Sequence, residues 1–163
     1  MSARIELLQA MPVFGAVRED TLMFLLGLSS EVSVAAGEFF FRENDEAQSM
    51  FVLEAGKAAV VKNWKDHEYL LNYMAKGDCF GEMSIMDMRL RSASVVAVEP
   101  CQAIELSSAS LYAMFERDLE QFTLIQMNMG REVSRRLRDA DERLFQAKVG
   151  NPDGVSEYVP LST

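Results

Sequence analysis

The chain has 163 residues, of which 49% are apolar and 25% charged, and a net charge of −9. That is room for one core, or one core plus an extended helix, and no stretch reaches the roughly 20 apolar residues that span a bilayer. The acidic balance argues against a nucleic-acid surface. The N-terminal "MSARIELLQAMPVF" lacks the long apolar centre of a secretory signal, so a cytoplasmic chain with no membrane partner is expected.

Residues 1–30 are helical in pattern. Ile5, Leu7 and Leu8 precede Pro12, and "EDTLMFLLGLS" follows, with Asp20 or Thr21 placed to cap a helix whose apolar face includes Leu22, Leu25 and Leu26. Residues 31–107 read as short strands between turn signals. "EVSVAAGE" alternates and turns at Gly37, and "EFFFREND" runs into a polar Glu43-Asn44-Asp45 turn. "SMFVLEAGKAAVVKN" gives two strands joined at Ala55-Gly56, and "EYLLNYMAKGDCFGE" one strand ending at Gly77-Asp78. "SASVVAVEPCQAIELS" gives two more, broken at Glu99-Pro100. Turns every 8–12 residues or so predict a β-sandwich or small barrel and no βαβ unit.

From residue 108 to 148 the pattern is helical again. "SSASLYAMFERD" is a short helix with Ser107 or Ser108 as cap, and 118–148 a long one interrupted only by Gly130. Phe122, Ile125, Met129, Val133, Leu137, Ala140 and Leu144 step along it by three or four residues as one apolar stripe. The stripe can pack on its own domain, on a partner helix, or on each in turn. A loose tail is expected over 149–163. Residues 118–148 carry six basic and six acidic side chains, so nearly all the excess negative charge lies elsewhere. An anion bound by the first 117 residues must be held by local groups.

Two cysteines, Cys79 and Cys101, are too few for a disulfide scaffold, and two reduced, buried thiols are expected. One histidine, His67, and no cysteine cluster give no basis for a metal site. No nucleophile elbow, phosphate-binding P-loop or dinucleotide fingerprint is present. The sequence gives no reason to expect an enzyme, a cofactor or a metal.

The stretch "FGEMSIMDMRLRSASV" over 80–95 carries the chemistry. Gly81 lets the backbone approach a ligand or take a positive φ. A short helical turn after it presents unpaired N–H groups, at Met83 and Ser84 in particular. Arg91 can add a charge-assisted contact to the same anion, Ser92 a hydroxyl, and Ala93 an accessible amide. Glu82 would repel a phosphate and so needs a donor, for which a ribose hydroxyl is the natural candidate. Met83, Ile85, Met86 and Val95 read as core-facing scaffold. Spacing alone leaves two readings open: a sugar-phosphate site, or a surface Glu82–Arg91 ion pair worth ~0–1 kcal/mol.

The stretch resembles the phosphate-binding cassette of cyclic nucleotide-binding domains, the family of catabolite activator protein and the kinase regulatory subunits. Phe80-Gly81-Glu82, an apolar turn, and Arg91-Ser92-Ala93 match its pattern. Val13-Phe14, Gly37-Glu38, Glu43-Asn44-Asp45, Phe51-Val52-Leu53 with Gly56, and Gly77-Asp78 match further landmarks in order, as do Val95, Ala97 and Leu106. The resemblance covers roughly residues 10–148. It implies an α+β fold: a β jelly roll (double-stranded β-helix, a sandwich or barrel) over 31–107, N-terminal helices over 1–30, and C-terminal helices over 108–148, one of them long. These together make one domain, 1–148.

Carried over position by position, the resemblance implies that Glu82 accepts from the ribose 2′-hydroxyl. Arg91 would neutralise a cyclic phosphate, helped by Ser92 and the amides near Ser84 and Ala93. Val60 and Leu71 match positions flanking the nucleotide, although plain core is the commoner role for such residues. The ligand would be cyclic AMP or cyclic GMP, with cyclic AMP slightly preferred, and the long helix would report occupancy through a homodimer contact over 118–148 or through an effector protein.

Two departures stand out. After Arg135-Arg136-Leu137, where bacterial activators offer hydroxyls to adenine, this chain holds Ala140 and Asp141; Asp141 would suit guanine, or be a solvated helix-face aspartate. Only 18 residues follow Phe145, with Gly150, Pro152 and Gly154 among them. No DNA-reading helix is expected there. Two functions stay open: a cyclic nucleotide sensor module, and a structural or dimerisation module that has the fold without the nucleotide.

Overall fold

The computed structural model describes residues 2–65 and 67–150. The chain divides into two units, Met1–Met129 and Gly130–Thr163. The first opens with α1 (Ser2–Gln9), a 3-10 turn (Pro12–Phe14) and α2 (Glu19–Gly27). The strands follow as β1 (Ser30–Val34), β2 (Phe39–Phe41), β3 (Ser49–Ala55), β4 (Ala58–Trp64), β5 (His67–Met74), β6 (Cys79–Phe80), β7 (Ser94–Ala97) and β8 (Cys101–Ser107). A short α3 (Glu82–Asp87) joins β6 to β7, and α4 (Ser108–Arg117) leads into α5 (Leu119–Val149).

The strands form two antiparallel four-stranded sheets, in the orders β1-β8-β3-β6 and β2-β7-β4-β5. Side chains on a strand alternate between faces. Along β3, Phe51 and Leu53 enter the core between the sheets, while Met50 and Val52 enter a second core with the helices. The first sheet is therefore covered on both faces, which is why "SMFVL" is apolar without alternation. The second core joins Leu8, Phe14, Leu22 and Leu25 to Leu111, Met114, Ile125 and Met129. Each such side chain contributes ~1.5–3 kcal/mol when fully buried.

Polar contacts fix the helices on this core. Arg4 donates through Nε and Nη2 to both oxygens of Glu54, at 2.7 and 2.9 Å, and through Nη1 to Glu31 at 2.5 Å. Arg18 pairs with Asp118, its amide donates to Gln121 Oε1 at 2.8 Å, and Asn128 Nδ2 donates to the Gly15 carbonyl at 2.9 Å. Ser107 caps α4, accepting from Ser110 N. The expected cap of α2 needs correction. Arg18 occupies the N-cap without a side-chain cap bond, and Asp20 lies in the first turn, where a carboxylate faces the positive end of the helix.

β5 does not place Leu71 where it was expected, beside a nucleotide or in plain core. It is a sheet edge, and of its residues only Met74 is buried. The register shifts beside Leu71, between the Val60–Asn72 and Val61–Leu70 pairs, and Leu71 is 51% exposed. Cys79 and Cys101 are buried and form no disulfide. In the second unit the described part of α5 runs from Gly130 to Val149, and Leu137, Leu144, Phe145 and Val149 are exposed. No described helix is long and apolar enough to cross a membrane. Of the expected tail, residues 151–163 lie outside the described residues.

Candidate functional site

The site is built on the turn between β6 and β7. Gly81 sits at φ 82° as the N-cap of α3, with no side-chain cap on that helix. A methyl group at this position would lie 2.6 Å from Arg91 Nη1. Glycine is required twice here, for the left-handed backbone and for the guanidinium beside it. Glu82 follows at 1% exposure.

Arg91 is 4% exposed, and its groups are held individually. Nη1 donates to the Gly81 carbonyl at 2.9 Å and Nη2 to the Ser49 carbonyl at 2.7 Å. The guanidinium stacks 4.0 Å from the Phe41 ring centroid and 6.0 Å from that of Phe51. Those rings belong to a Phe40, Phe41, Phe51 and Phe80 cluster between the sheets. Arg91 Nε is buried without a hydrogen-bond partner. An unsatisfied buried donor costs ~1–3 kcal/mol, more when charged, so this atom points to an acceptor that belongs there.

The backbone of Arg91 is pinned from the β2–β3 turn. Its N–H donates to the Asp45 carbonyl and its carbonyl accepts from Asn44 N, both at 2.9 Å. Asp45 Oδ2 accepts from Arg42 N at 2.7 Å, and Ser94 Oγ accepts from Glu43 N at 2.8 Å. The Glu43-Asn44-Asp45 sequence thus forms the bracket that sets the arginine's position. Burial pulls the Arg91 pKa below its ordinary value, and the charges of Asp45, Glu105 and Glu82 pull it back up. An arginine is not deprotonated in proteins, so the group keeps its charge.

The first unit gathers Gly81, Glu82, Ser84, Arg91 and Ala93 in or near the buried layer, with Ser92 exposed beside them. A surface ion pair between Glu82 and Arg91 is ruled out, because both are buried. Ser84 Oγ donates to the Leu90 carbonyl at 3.4 Å. A groove of about 1240 Å³ runs along this segment, lined among others by Ser84, Arg91, Ser92, Lys62 and Tyr112. Met83 and Met86, expected in the core, are 45% and 39% exposed. A six-residue helix turns one side to the protein and leaves the rest of its perimeter open. Val95 is buried as expected and Ile85 partly so. Val60 is half-buried against the inter-sheet core. Ala140 and Asp141 belong to the second unit, both exposed on α5.

Residues 31–118, which contain this whole arrangement, match the family model described as "Cyclic nucleotide-binding domain". The chain belongs to the cyclic nucleotide-binding domain family. Over 134 residues, 82% of its length, it is 28% identical to the cyclic AMP receptor protein of Thermus thermophilus and covers 60% of that protein. It is 32% identical over 92 residues, 56% of the chain, to the type II regulatory subunit of cAMP-dependent protein kinase of Drosophila melanogaster, and covers 24% of it. A solved cyclic nucleotide-binding domain from Methylobacillus flagellatus superposes with a TM-score of 0.78 at 20% identity, over 95% of this chain and 84% of that one. The chain thus spans about three fifths or less of both curated relatives.

Several residues that build this cyclic nucleotide-binding domain's site were not singled out in the sequence. Phe41 supplies the ring beneath Arg91, Ser49 a backbone carbonyl, and Glu105 a carboxylate whose charge reaches the guanidinium. The Phe39-Phe40-Phe41 run was a usable signal for an aromatic wall. A carbonyl has none, because every residue carries one.

Proposed function

We propose that this chain is a cyclic nucleotide sensor module and not an enzyme, working in the cytoplasm, with cyclic AMP slightly preferred over cyclic GMP. The observation that carries the reading is the Arg91 guanidinium. It is buried, both Nη atoms are committed to backbone carbonyls, and Nε faces no protein acceptor. A cyclic phosphate supplies that acceptor and the compensating charge. Ser92 Oγ and the amides at Met83, Ser84 and Ala93 add donors, Glu82 accepts from a ribose hydroxyl, and Val60 borders the base.

Occupancy would be reported through α5, whose stripe passes from buried (Ile125, Met129) to exposed (Leu137, Leu144), to a second copy or an effector protein. Calorimetry with cyclic AMP and cyclic GMP on wild type, Arg91→Ala and Arg91→Lys tests the site. Arg91→Ala should lose about 2 kcal/mol, or roughly 30-fold in Kd. Arg91→Lys should fall between, since it keeps the charge without the fork. Absence of binding by the folded wild type at millimolar ligand overturns the reading and leaves a fold-only interaction module.

A further inference from the structure

We infer that the pocket where the start of α4 meets the end of the first sheet binds a small organic cation, a primary ammonium that also carries a hydroxyl, with Glu105 as its counter-charge. This pocket is separate from the groove along the β6–β7 turn, and neither site depends on the other.

A cavity of about 410 Å³ opens here, lined among others by Ser30, Gln48, Ser49, Glu105, Ser107 and Ser108. That volume is in the range of small-molecule sites. Strand pairing brings the side chains together. Ser30 is opposite Glu105 and Ser49 opposite Ser107, and partners in register share a face of the sheet. Further along that face come Val32, Phe51 and Ala103, which belong to the core between the sheets. The pocket is thus the polar end of an apolar interior. Ser49 is 7% exposed and Glu105 half-buried.

The wall is rich in acceptors and short of donors. The Ser108 amide already donates to the Gln48 carbonyl at 2.8 Å, and the Ser110 amide to Ser107 Oγ at 3.0 Å. The Ser108 and Ser110 hydroxyls donate to the Gln48 and Leu28 carbonyls, at 3.1 and 3.0 Å. Among the described residues, Glu105 is the one charged side chain on the wall, and its carboxylate accepts no hydrogen bond and joins no ion pair. Arg91, whose charge reaches it, gives both Nη atoms to carbonyls. Ser49 Oγ has no partner among the described residues either.

A half-buried carboxylate beside an unused hydroxyl calls for a ligand with donors and positive charge. A primary ammonium is a compact charge with three donors, enough for Glu105 and Ser49 together. Its hydroxyl would meet Ser30 or Ser107. A divalent metal ion fits poorly, because it wants several anionic oxygens and no group of three His, Cys, Asp or Glu is gathered among the described residues. An anion would be repelled by Glu105 and would find the Ser108 and Ser110 amides spent.

NMR titration of the full chain with ethanolamine, against ethylene glycol as a neutral probe of the same size, tests this. Salt at about 150 mM screens long-range attraction to the acidic surface. Ethanolamine should shift the amides of Ser49, Glu105 and Ser107 saturably, and the glycol should not. Glu105→Gln, near-isosteric and checked by its melting temperature, should weaken binding about tenfold or more, as loss of a charge-assisted hydrogen bond implies. Ser49→Ala keeps the backbone carbonyl that holds Arg91 and should weaken binding by less. Equal response to the two probes overturns the inference, because charge is then not read. Shifts that never saturate, or that spread over the acidic surface, overturn it too, as does wild-type affinity in either variant. If Glu105→Gln fails to fold, the contrast between the probes and the Ser49→Ala result decide. Binding of cyclic AMP, present or absent, leaves the outcome unchanged, so this inference and the proposed function fail separately.

Discussion

Gly81 carries two demands in one residue, a φ of 82° and an arginine 2.6 Å from where a methyl group would sit. Alanine there meets ~1 kcal/mol of backbone strain and also displaces the guanidinium from the Gly81 carbonyl. Gly81→Ala should therefore be destabilised by roughly 1–3 kcal/mol in urea melts and lose most of its cyclic AMP affinity in calorimetry. A variant with full affinity would show that Arg91 does not need its present place. Gly81, Glu82 and Arg91 were legible as chemistry, because a glycine, a carboxylate and a guanidinium at fixed spacing have few common uses. Their burial was not legible. It depends on Phe41, Ser49 and Asp45, which come from separate strands and turns and meet Arg91 only in the fold.

At the scale of elements, α5 shows how far a periodic pattern can be trusted. Ile125 and Met129 are 1% and 0% exposed, locked among the N-terminal helices by the Gln121 and Asn128 hydrogen bonds on the same turns. Leu137, on the same stripe, is 60% exposed. Ile125→Ala should cost ~2–5 kcal/mol in chemical denaturation, since it opens a cavity. Leu137→Ala should cost under about 0.5 kcal/mol at concentrations too low for association. Equal costs would mean the two residues share one environment. The stripe was continuous in the sequence because helical spacing records which face is apolar and not what covers it. The same limit hid the state of β5, whose "EYLLNYM" reads as a strand without showing what covers it. As a sheet edge with a bulge at Leu71, it buries little of that apolar surface. By contrast, the sandwich-type β architecture and the turns at Gly56 and Gly77-Asp78 were readable, because turn chemistry is local.

For the molecule as a whole, the remaining question is what covers the exposed end of α5. Helices in proteins draw most of their stability from packing an apolar face, and a run of some 20 residues held by side-chain pairs alone is marginal in water. The described helix from Gly130 onward has ion pairs such as Glu132–Arg135 at 2.8 Å, worth a few tenths of a kcal/mol. It also leaves Leu137, Leu144, Phe145 and Val149 more than half exposed. It carries six basic against four acidic side chains from Arg131 to Lys148, a small net positive charge, so two copies meet little of the repulsion that the chain's net charge of −9 would otherwise impose. The homodimer expected through this helix would cover that surface with a second copy. Light scattering of the full chain should then give twice the monomer mass. Leu137→Glu combined with Leu144→Glu should return it to the monomer mass while leaving the melting of the first unit intact, because neither residue enters that unit's core. A wild-type chain that stays monomeric at high micromolar concentration would exclude the homodimer and leave an effector protein as the partner for α5.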